Sequence, residues 1–282
     1  MIPYDFAYFK PSTSEDAVQL HLTLREQGKR PVYFAGGTEI ITLGRINELY
    51  TEAVIDIKGI DECQTLSLEQ NQLILGSAVT LSRLQESNLF PLLSQTVREI
   101  ADHTARNKIT LGGNLCGQIY YREAVLPLLL SDTDIVLAGK SGRRRIPLTA
   151  IFDGHPRLDD GELVLQLITP SDYATLPHYT VKKRRQWDIG YPLITVAALK
   201  KGNEIRLAFS GVCPFPFRNE HIENIINDSR LSIEERIEQA ILHLPQPISN
   251  DVEGSPEYRI FVLKHTLLDV WHFLGGDTHV HR

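Results

Sequence analysis

The amino-acid sequence predicts a fold of the α+β class. Three strand-like runs between residues 180 and 210 are followed by three helical segments, and this separation of strands from helices is typical of α+β modules. Upstream, short apolar strands are interspersed with amphipathic helices. The 282 residues suffice for one large domain or for two to three smaller ones.

Composition and charge exclude several classes of protein. With 42% hydrophobic and 23% charged residues, the chain is neither disordered, collagen-like nor a coiled coil. The excess of 35 acidic over 29 basic residues, a net charge of −6, disfavours a dedicated nucleic-acid binder. We find no apolar run long enough to cross a bilayer and no signal peptide at the N-terminus, so we expect a cytoplasmic protein.

The first elements follow from caps, apolar spacing and turns. Residues 12–16 offer N-cap hydroxyls and first-turn acids to a helix that closes at Gly28. Residues 31–35 form a short apolar strand that runs into the turn Gly36-Gly37. A second strand is predicted over 53–57.

The middle of the chain continues this pattern. A strand over 73–78 is followed by a short helix that Thr80 caps, and apolar residues at helical spacing predict one long helix over 91–105. Residues 135–148 read as a hairpin around Gly139–Gly142, and 163–168 as a strand that ends before Pro170.

A domain boundary is predicted near residues 169–177, which are rich in Pro, Ser and Asp. Beyond it we predict three strands, over 180–183, 193–199 and 205–210. Three helices follow, over about 217–227, 232–244 and 256–274.

Two Gly-Gly segments are the most informative feature, one at residues 35–39 and the other at 110–114. Glycine allows a backbone to approach a ligand closely, and successive N–H groups in such a turn can bind a diphosphate. Neither segment matches the patterns GxxxxGK[ST] or GxGxxG, which disfavours a Rossmann site. The alternative is that each pair is only a tight turn, and the residues alone leave both interpretations open.

Cysteine and histidine spacing predicts no metal site. Cys63, Cys116 and Cys213 are too few for a four-cysteine iron–sulfur cluster and are expected to be free thiols. The only HxH pattern is His279-Val280-His281 at the C-terminus, where a frayed tail is the better interpretation. There is no GxSxG segment, and we assign no catalytic residue.

Five ordered segments resemble one family, the FAD-binding subunits of the molybdenum hydroxylases of the xanthine dehydrogenase and carbon monoxide dehydrogenase type. Residues 35–39 resemble the family's AGGT[DE] segment, and residues 105–114 resemble its IRNxATxGGN segment. The other three matches are Arg185–Ile189 with R-x-x-D-[IL], Ser210–Arg218 with GGVAPxPxR, and Gly254–Arg259 with GSxEYR. The five occur in the family's order and are spread over more than two hundred residues of the chain.

The resemblance implies FAD as cofactor, with both glycine segments around its diphosphate. The residues that match these segments are Ala35, Gly36, Gly37, Thr38, Glu39, Thr110, Gly112, Gly113 and Asn114. Phe34 and Ile40 flank the first segment and would wall the site. The family also uses a lysine on the strand that opens its C-terminal domain. Lys182 is the closest match, with Lys183 as a rival.

The sequence departs from the family pattern after the second segment. Glu123 stands where the family has an Asp on the ribose side of FAD, and it retains a carboxylate that can accept a hydroxyl hydrogen bond. Tyr120, Tyr121 and Arg122 are larger than the usual residues. They would alter the contact with the flavin, or they belong to a rebuilt partner surface.

The resemblance also implies the architecture. A FAD-binding region similar to the vanillyl-alcohol-oxidase (PCMH) type would span 1–172, in subdomains of about 1–57 and 58–172. A C-terminal domain with a three-stranded antiparallel sheet and helices would cover 173–282.

The implied function is that of an electron-transfer subunit of an oxidoreductase. A separate molybdopterin-binding large subunit would hydroxylate the substrate, and a small subunit with [2Fe–2S] clusters would relay electrons to FAD and on to NAD or another acceptor. Such a subunit should expose an apolar patch, to which residues 119–121 could contribute. Two alternatives are a flavin-free scaffold or assembly protein and a stand-alone FAD oxidoreductase.

Overall fold

The computed structural model describes residues 2–185 and 190–275. Two sequence predictions fall outside these residues. They concern Asp188 and Ile189 in the segment that resembles R-x-x-D-[IL], and the tail histidines His279 and His281.

The secondary structure alternates short strands and helices. The strands are β1 (Ala7–Phe9), β2 (Pro31–Phe34), β3 (Ala53–Asp56), β4 (Leu66–Glu69), β5 (Gln72–Gly76), β6 (Asp134–Gly139), β7 (Gly142–Pro147), β8 (Leu163–Pro170), β9 (His178–Lys183), β10 (Ile194–Lys201), β11 (Glu204–Ser210) and β12 (Phe217–Arg218). The helices are α1 (Ser14–Glu26), α2 (Thr38–Arg45), α3 (Asp61–Gln64), α4 (Leu81–Ser87), α5 (Pro91–Arg98), α6 (His103–Arg106), α7 (Leu111–Cys116), α8 (Val125–Leu130), α9 (Leu148–Ile151), α10 (Glu220–Ile226), α11 (Ile233–Leu242) and α12 (Pro256–Val270). Across 2–185 and 190–275, no helix combines the length and the apolar character that crossing a bilayer would require.

The chain forms two compact units that are interleaved in sequence. The first unit comprises the chain up to Leu89, Asp102–Gly117 and Asp132–Ser171. The second comprises Phe90–Ala101, Gln118–Ser131 and the chain from Asp172 onward. Two segments that precede the predicted boundary at residue 172 thus pack with the C-terminal part of the chain.

A three-stranded parallel sheet opens the first unit. Its order is β1-β3-β2, and Val54 of β3 lies opposite Tyr8 on one side and Val32 on the other. Helix α1 covers this sheet, and its N-terminus is capped by the Thr13 side chain, as predicted. The three residues of β1 were not predicted, because so short a run carries no clear alternation.

The second sheet of this unit is antiparallel, in the order β4-β5-β8-β6-β7. The predicted hairpin around Gly139–Gly142 is confirmed as β6 and β7. Edge strand β7 carries the basic run 143–145, whose arginines are ion-paired. Arg144 lies 2.7 Å from Glu162, for example. The run is therefore a neutralised sheet edge rather than a basic binding patch.

The single long helix predicted over 91–105 is wrong. Helix α5 ends at Arg98, Ala101 adopts a left-handed conformation with φ of 50°, and α6 begins at His103. The Asp102 side chain caps α6 by accepting a hydrogen bond from the Ala105 N–H. The spacing of apolar residues does not reveal this break, because a single left-handed residue interrupts the helix while the apolar residues on either side keep their helical spacing.

The second unit is built on an antiparallel sheet in the order β12-β11-β10-β9. The three long strands confirm the prediction, and the two-residue strand β12 adds a fourth that replaces the predicted start of a helix at 217. Phe209 and Leu207 of β11 pack with Ile222 of α10 and Leu263 of α12 in the core. The predicted helices 232–244 and 256–274 correspond to α11 and to α12 with a following π-helical turn.

Candidate cofactor site

The first glycine segment leads from strand β2 into helix α2. Gly37 is the N-cap residue, with φ of 72° and ψ of 3°, and no side chain caps this helix. The first N–H groups of a helix have no intrahelical acceptor, and the helix dipole favours an anion beside them. Thr38 and Glu39 occupy the first turn. The N-terminus of α2 thus has the chemistry of a phosphate site.

The two glycine segments lie against each other within the first unit. A β-carbon at Gly36 would stand 1.7 Å from the carbonyl oxygen of Lys108, which precedes the second segment. A β-carbon at Gly117 would lie 2.9 Å from Oε2 of Glu39. Glycine at positions 36 and 117 is therefore a packing requirement, and it brings the predicted residues 35–39 and 110–114 into one cradle.

The second glycine segment is the first turn of helix α7. Thr110 caps this helix, and its Oγ1 accepts a hydrogen bond of 3.2 Å from the Gly113 N–H. The N–H of Leu111 donates to the Val79 carbonyl at 2.9 Å, and that of Gly112 donates to the Ser77 carbonyl at 2.7 Å.

These contacts bear on the two interpretations of the second segment. The N–H groups of Leu111, Gly112 and Gly113 donate to acceptors within the chain, which favours the tight turn over an anion nest at this Gly-Gly pair. Its glycines serve close packing instead, since a β-carbon at Gly112 would lie 2.6 Å from Cβ of Ser77.

Beside the first segment lies an ionic group that sequence reasoning missed. Lys58 Nζ is 2.8 Å from Oδ1 of Asp56 and donates to the Ala35 carbonyl oxygen at 2.8 Å. The same ammonium lies 4.5 Å from the centroid of the Phe34 ring. The only available signal was a pair of charges at the end of a predicted strand, which is too common to single out.

The other two predicted site residues, Glu123 and Lys182, belong to the second unit and contact each other. Lys182 Nζ lies 2.7 Å from Glu123 Oε1, and the side chains are only 4% and 2% exposed. Lys182 also donates to the Glu99 carbonyl at 3.0 Å. The pair is thus buried and mutually neutralised.

The tyrosines of the unusual 119–123 segment form an aromatic cluster with Tyr191. The rings of Tyr120 and Tyr121 are 4.8 Å apart, and Tyr121 stacks on Tyr191 at 4.7 Å. The Tyr121 hydroxyl donates to Asp251 at 3.1 Å; burial and this carboxylate raise the pKa of Tyr121. Tyr121 and Arg122 are buried, so only Tyr120 and Tyr191 of this group offer exposed aromatic surface.

The fold and the site define the class of protein: an α+β chain of two units, the first of which carries two adjoining glycine segments. Comparison with known proteins identifies the class further. Residues 4–172 match the family model for the FAD binding domain in molybdopterin dehydrogenase, and residues 177–273 match that for the CO dehydrogenase flavoprotein C-terminal domain. The chain belongs to this family of FAD-binding dehydrogenase subunits.

Curated relatives and solved structures agree. The putative xanthine dehydrogenase FAD-binding subunit of Escherichia coli strain K12 is 29% identical over 280 residues, covering 93% of each chain. The carbon monoxide dehydrogenase medium chain of Hydrogenophaga pseudoflava is 27% identical over 230 residues, covering 78% of this chain and 79% of that one. The solved carbon monoxide dehydrogenase from Hydrogenophaga pseudoflava, lacking the Mo-pyranopterin moiety, shares the fold with a TM-score of 0.86 at 22% identity, covering 98% of this chain and 99% of that one.

The predicted family, fold class and cofactor FAD are therefore confirmed, as is the class of oxidoreductase subunit. The residues of the first unit fit FAD. The N-terminus of α2 has no side-chain cap, so its N–H groups suit a phosphate, and the glycines allow the two segments to pack closely beside it. The flavin-free scaffold is disfavoured accordingly.

Proposed function

We propose that the adjoining glycine segments hold the FAD diphosphate. The observation that carries this proposal is the packing of Gly36 against Lys108, which joins both segments in one cradle beside the uncapped N-terminus of α2. In this placement the N–H groups of Gly37 and Thr38 bind phosphate oxygens. The second segment contributes close approach through Gly113 and a side-chain amide through Asn114.

The neighbouring residues complete the proposed site. Phe34 and Ile40 form its apolar wall, and the Glu39 carboxylate accepts hydrogen bonds from hydroxyl groups of the cofactor. Glu123 and Lys182 lie in the second unit, and we propose them separately as cofactor contacts that act as a neutral pair, because replacing one would leave a buried charge without a partner.

We further propose that the chain works within a complex. When bound, FAD supplies the redox chemistry by which electrons from the [2Fe–2S] clusters of a small subunit reach NAD or another acceptor. A molybdopterin-binding large subunit carries out substrate hydroxylation. The family membership supports this division, as do the three cysteines, too few to ligate a four-cysteine cluster. None of the three, all of which lie in the described part of the chain, forms a disulfide, which is consistent with the proposed cytoplasmic location.

Glycine variants test the placement of the diphosphate. Gly37→Val introduces a branched side chain at φ of 72°, where its β-carbon would lie 2.2 Å from the Phe34 ring. Gly28→Val is the matched control, because Gly28 has φ of 76° in the same unit and nothing within 4 Å of a β-carbon. We expect Gly37→Val to abolish FAD binding in a titration, whereas Gly28→Val costs stability and retains FAD affinity. Equal FAD affinity in both variants would show that the segment does not bind FAD.

A reduction assay separates the subunit from a stand-alone oxidoreductase. The FAD-loaded chain alone should keep its flavin absorbance when the organic substrate of the complex is added, because oxidation of that substrate requires the molybdenum subunit. Bleaching by the organic substrate would identify a stand-alone oxidoreductase.

A further inference from the structure

The strand that ends beside the first glycine segment carries a buried carboxylate. Asp56 closes β3 and is 3% exposed. It accepts hydrogen bonds from the Tyr8 hydroxyl and, at 2.9 Å, from the Lys58 backbone N–H. Burial raises the pKa of Asp56, but the hydrogen bonds from Lys58 and Tyr8 outweigh burial and lower it overall. The carboxylate is therefore ionised at neutral pH and provides a fixed anchor.

This anchor holds the Lys58 ammonium against the first glycine segment. Nζ lies 2.8 Å from Asp56 Oδ1 and donates to the Ala35 carbonyl at 2.8 Å, with the Phe34 ring on another side. The ammonium thus contacts three groups, although 37% of the Lys58 side chain is exposed. Through the Ala35 carbonyl, Lys58 contacts the backbone of the segment directly.

The hydrogen bond from Lys58 to the Ala35 carbonyl also fixes the direction of the next N–H group, that of Gly36. In a trans peptide the C=O and the following N–H point in opposite directions. When Lys58 holds the Ala35 carbonyl on its own side, the Gly36 N–H of the same peptide unit faces the other way. The next residues, Gly37 and Thr38, then present the uncapped N-terminus of α2.

We propose that Lys58 is the positioning residue of the diphosphate cradle, with Asp56 as its anchor. Lys58 orients the Ala35–Gly36 peptide so that its N–H can donate to a diphosphate oxygen. This inference rests on the proposed placement of the FAD diphosphate at the glycine segments.

The test uses the full-length apo chain titrated with FAD and, separately, with riboflavin, which lacks the phosphates. We expect Lys58→Met to weaken FAD binding by about tenfold or more, the range of a charge-assisted hydrogen bond, and to leave riboflavin binding unchanged. Lys58→Arg should restore most of the affinity, since a guanidinium can also donate to both oxygens. The control Lys140→Met removes an equal charge from the exposed β6–β7 turn and should leave both affinities unchanged.

A variant of Asp56 distinguishes a positioning role of Lys58 from direct contact between Lys58 and phosphate. If Lys58 acts through Ala35, Asp56→Asn weakens FAD binding as Lys58→Met does, and the double variant is no worse than the stronger single one. If Lys58 instead reaches phosphate directly, Asp56→Asn leaves FAD affinity intact, which would overturn the proposal. Equal losses of FAD and riboflavin affinity would also overturn it, because the effect would then not depend on the phosphates.

The glycine variants distinguish failure of the proposed diphosphate site from failure of the proposed role of Lys58. Loss of FAD binding in Gly37→Val together with normal binding in Lys58→Met would retain the site and reject the role of Lys58. Normal binding in both variants would reject the placement of the diphosphate itself. Thermal unfolding of each apo variant, compared with that of Lys58→Arg, identifies any loss of affinity caused by misfolding.

Discussion

At the scale of single residues, two buried ion pairs stand out in the second unit. Lys182 and Glu123 neutralise each other in the second unit, and Arg259, which is fully buried, pairs with Asp251. A buried pair adds little net stability, but a lone member is costly because its charge remains without solvent. Replacing one partner of such a pair should therefore destabilise the fold far more than replacing both.

The Lys182–Glu123 pair allows this to be measured. We expect Lys182→Met and Glu123→Gln each to lower the free energy of unfolding by about 3–5 kcal/mol, and the double variant to cost much less than their sum. Urea denaturation provides the values. The control is Asp153→Asn, which breaks the exposed pair with Arg157 and should change stability little. Strictly additive losses would mean that the two charges do not interact.

Residue-level prediction singled out features whose chemistry is local and missed one that depends on tertiary contact. The glycine segments were found because their composition is unusual. Lys58 was not, because its acceptor Ala35 is 23 residues away and only the pairing of β2 with β3 brings them together.

His21, on helix α1, is expected to make the free energy of unfolding depend on pH in the acid range. It is buried and stacks on Tyr33 at 4.9 Å, and desolvation lowers its pKa, with smaller opposing effects from Asp160. Since the unfolded chain takes up this proton near pH 6.5 and the folded chain does so only at lower pH, acid favours unfolding.

We therefore expect stability to fall as pH drops below about 6.5, and His21→Gln to reduce that fall. The measurement is the free energy of unfolding of both proteins at several values between pH 7 and 5. Parallel pH profiles would show that protonation of His21 does not contribute.

At the scale of elements, helix caps connect stability to the site. Thr110 caps α7 at the second glycine segment, whereas Thr13 caps α1 on the parallel sheet. We expect Thr110→Ala and Thr13→Ala each to cost about 1 kcal/mol of stability in urea denaturation. Only Thr110→Ala should also weaken FAD binding, and Thr110→Ser should restore it. Equal effects of both alanine variants on FAD affinity would contradict a specific role for α7.

Element prediction was strongest for capped and periodic segments. Helix α1, the β6–β7 hairpin and the long strands of the second unit were all anticipated. The break between α5 and α6 was missed, since it depends on the left-handed Ala101. Short strands such as β1 exist only through their pairing with β3 and leave no pattern of their own.

At the scale of the whole molecule, the arrangement in space differs from the order in sequence. Segments 90–101 and 118–131 precede residue 172 but pack with the C-terminal part of the chain. Composition predicted the boundary near 169–177. It could not predict that these two segments belong to the second unit, because an apolar segment has the same composition in either hydrophobic core.

The central claim is that the FAD diphosphate binds at the adjoining glycine segments of the first unit. Amide hydrogen exchange of the full-length chain with and without FAD tests it most directly, with flavin absorbance establishing occupancy. The account predicts that FAD slows exchange at Gly36, Gly37 and Thr38, while the β10–β11 turn at Gly202 is unaffected. Full occupancy by FAD without protection of residues 36–38 would contradict the account.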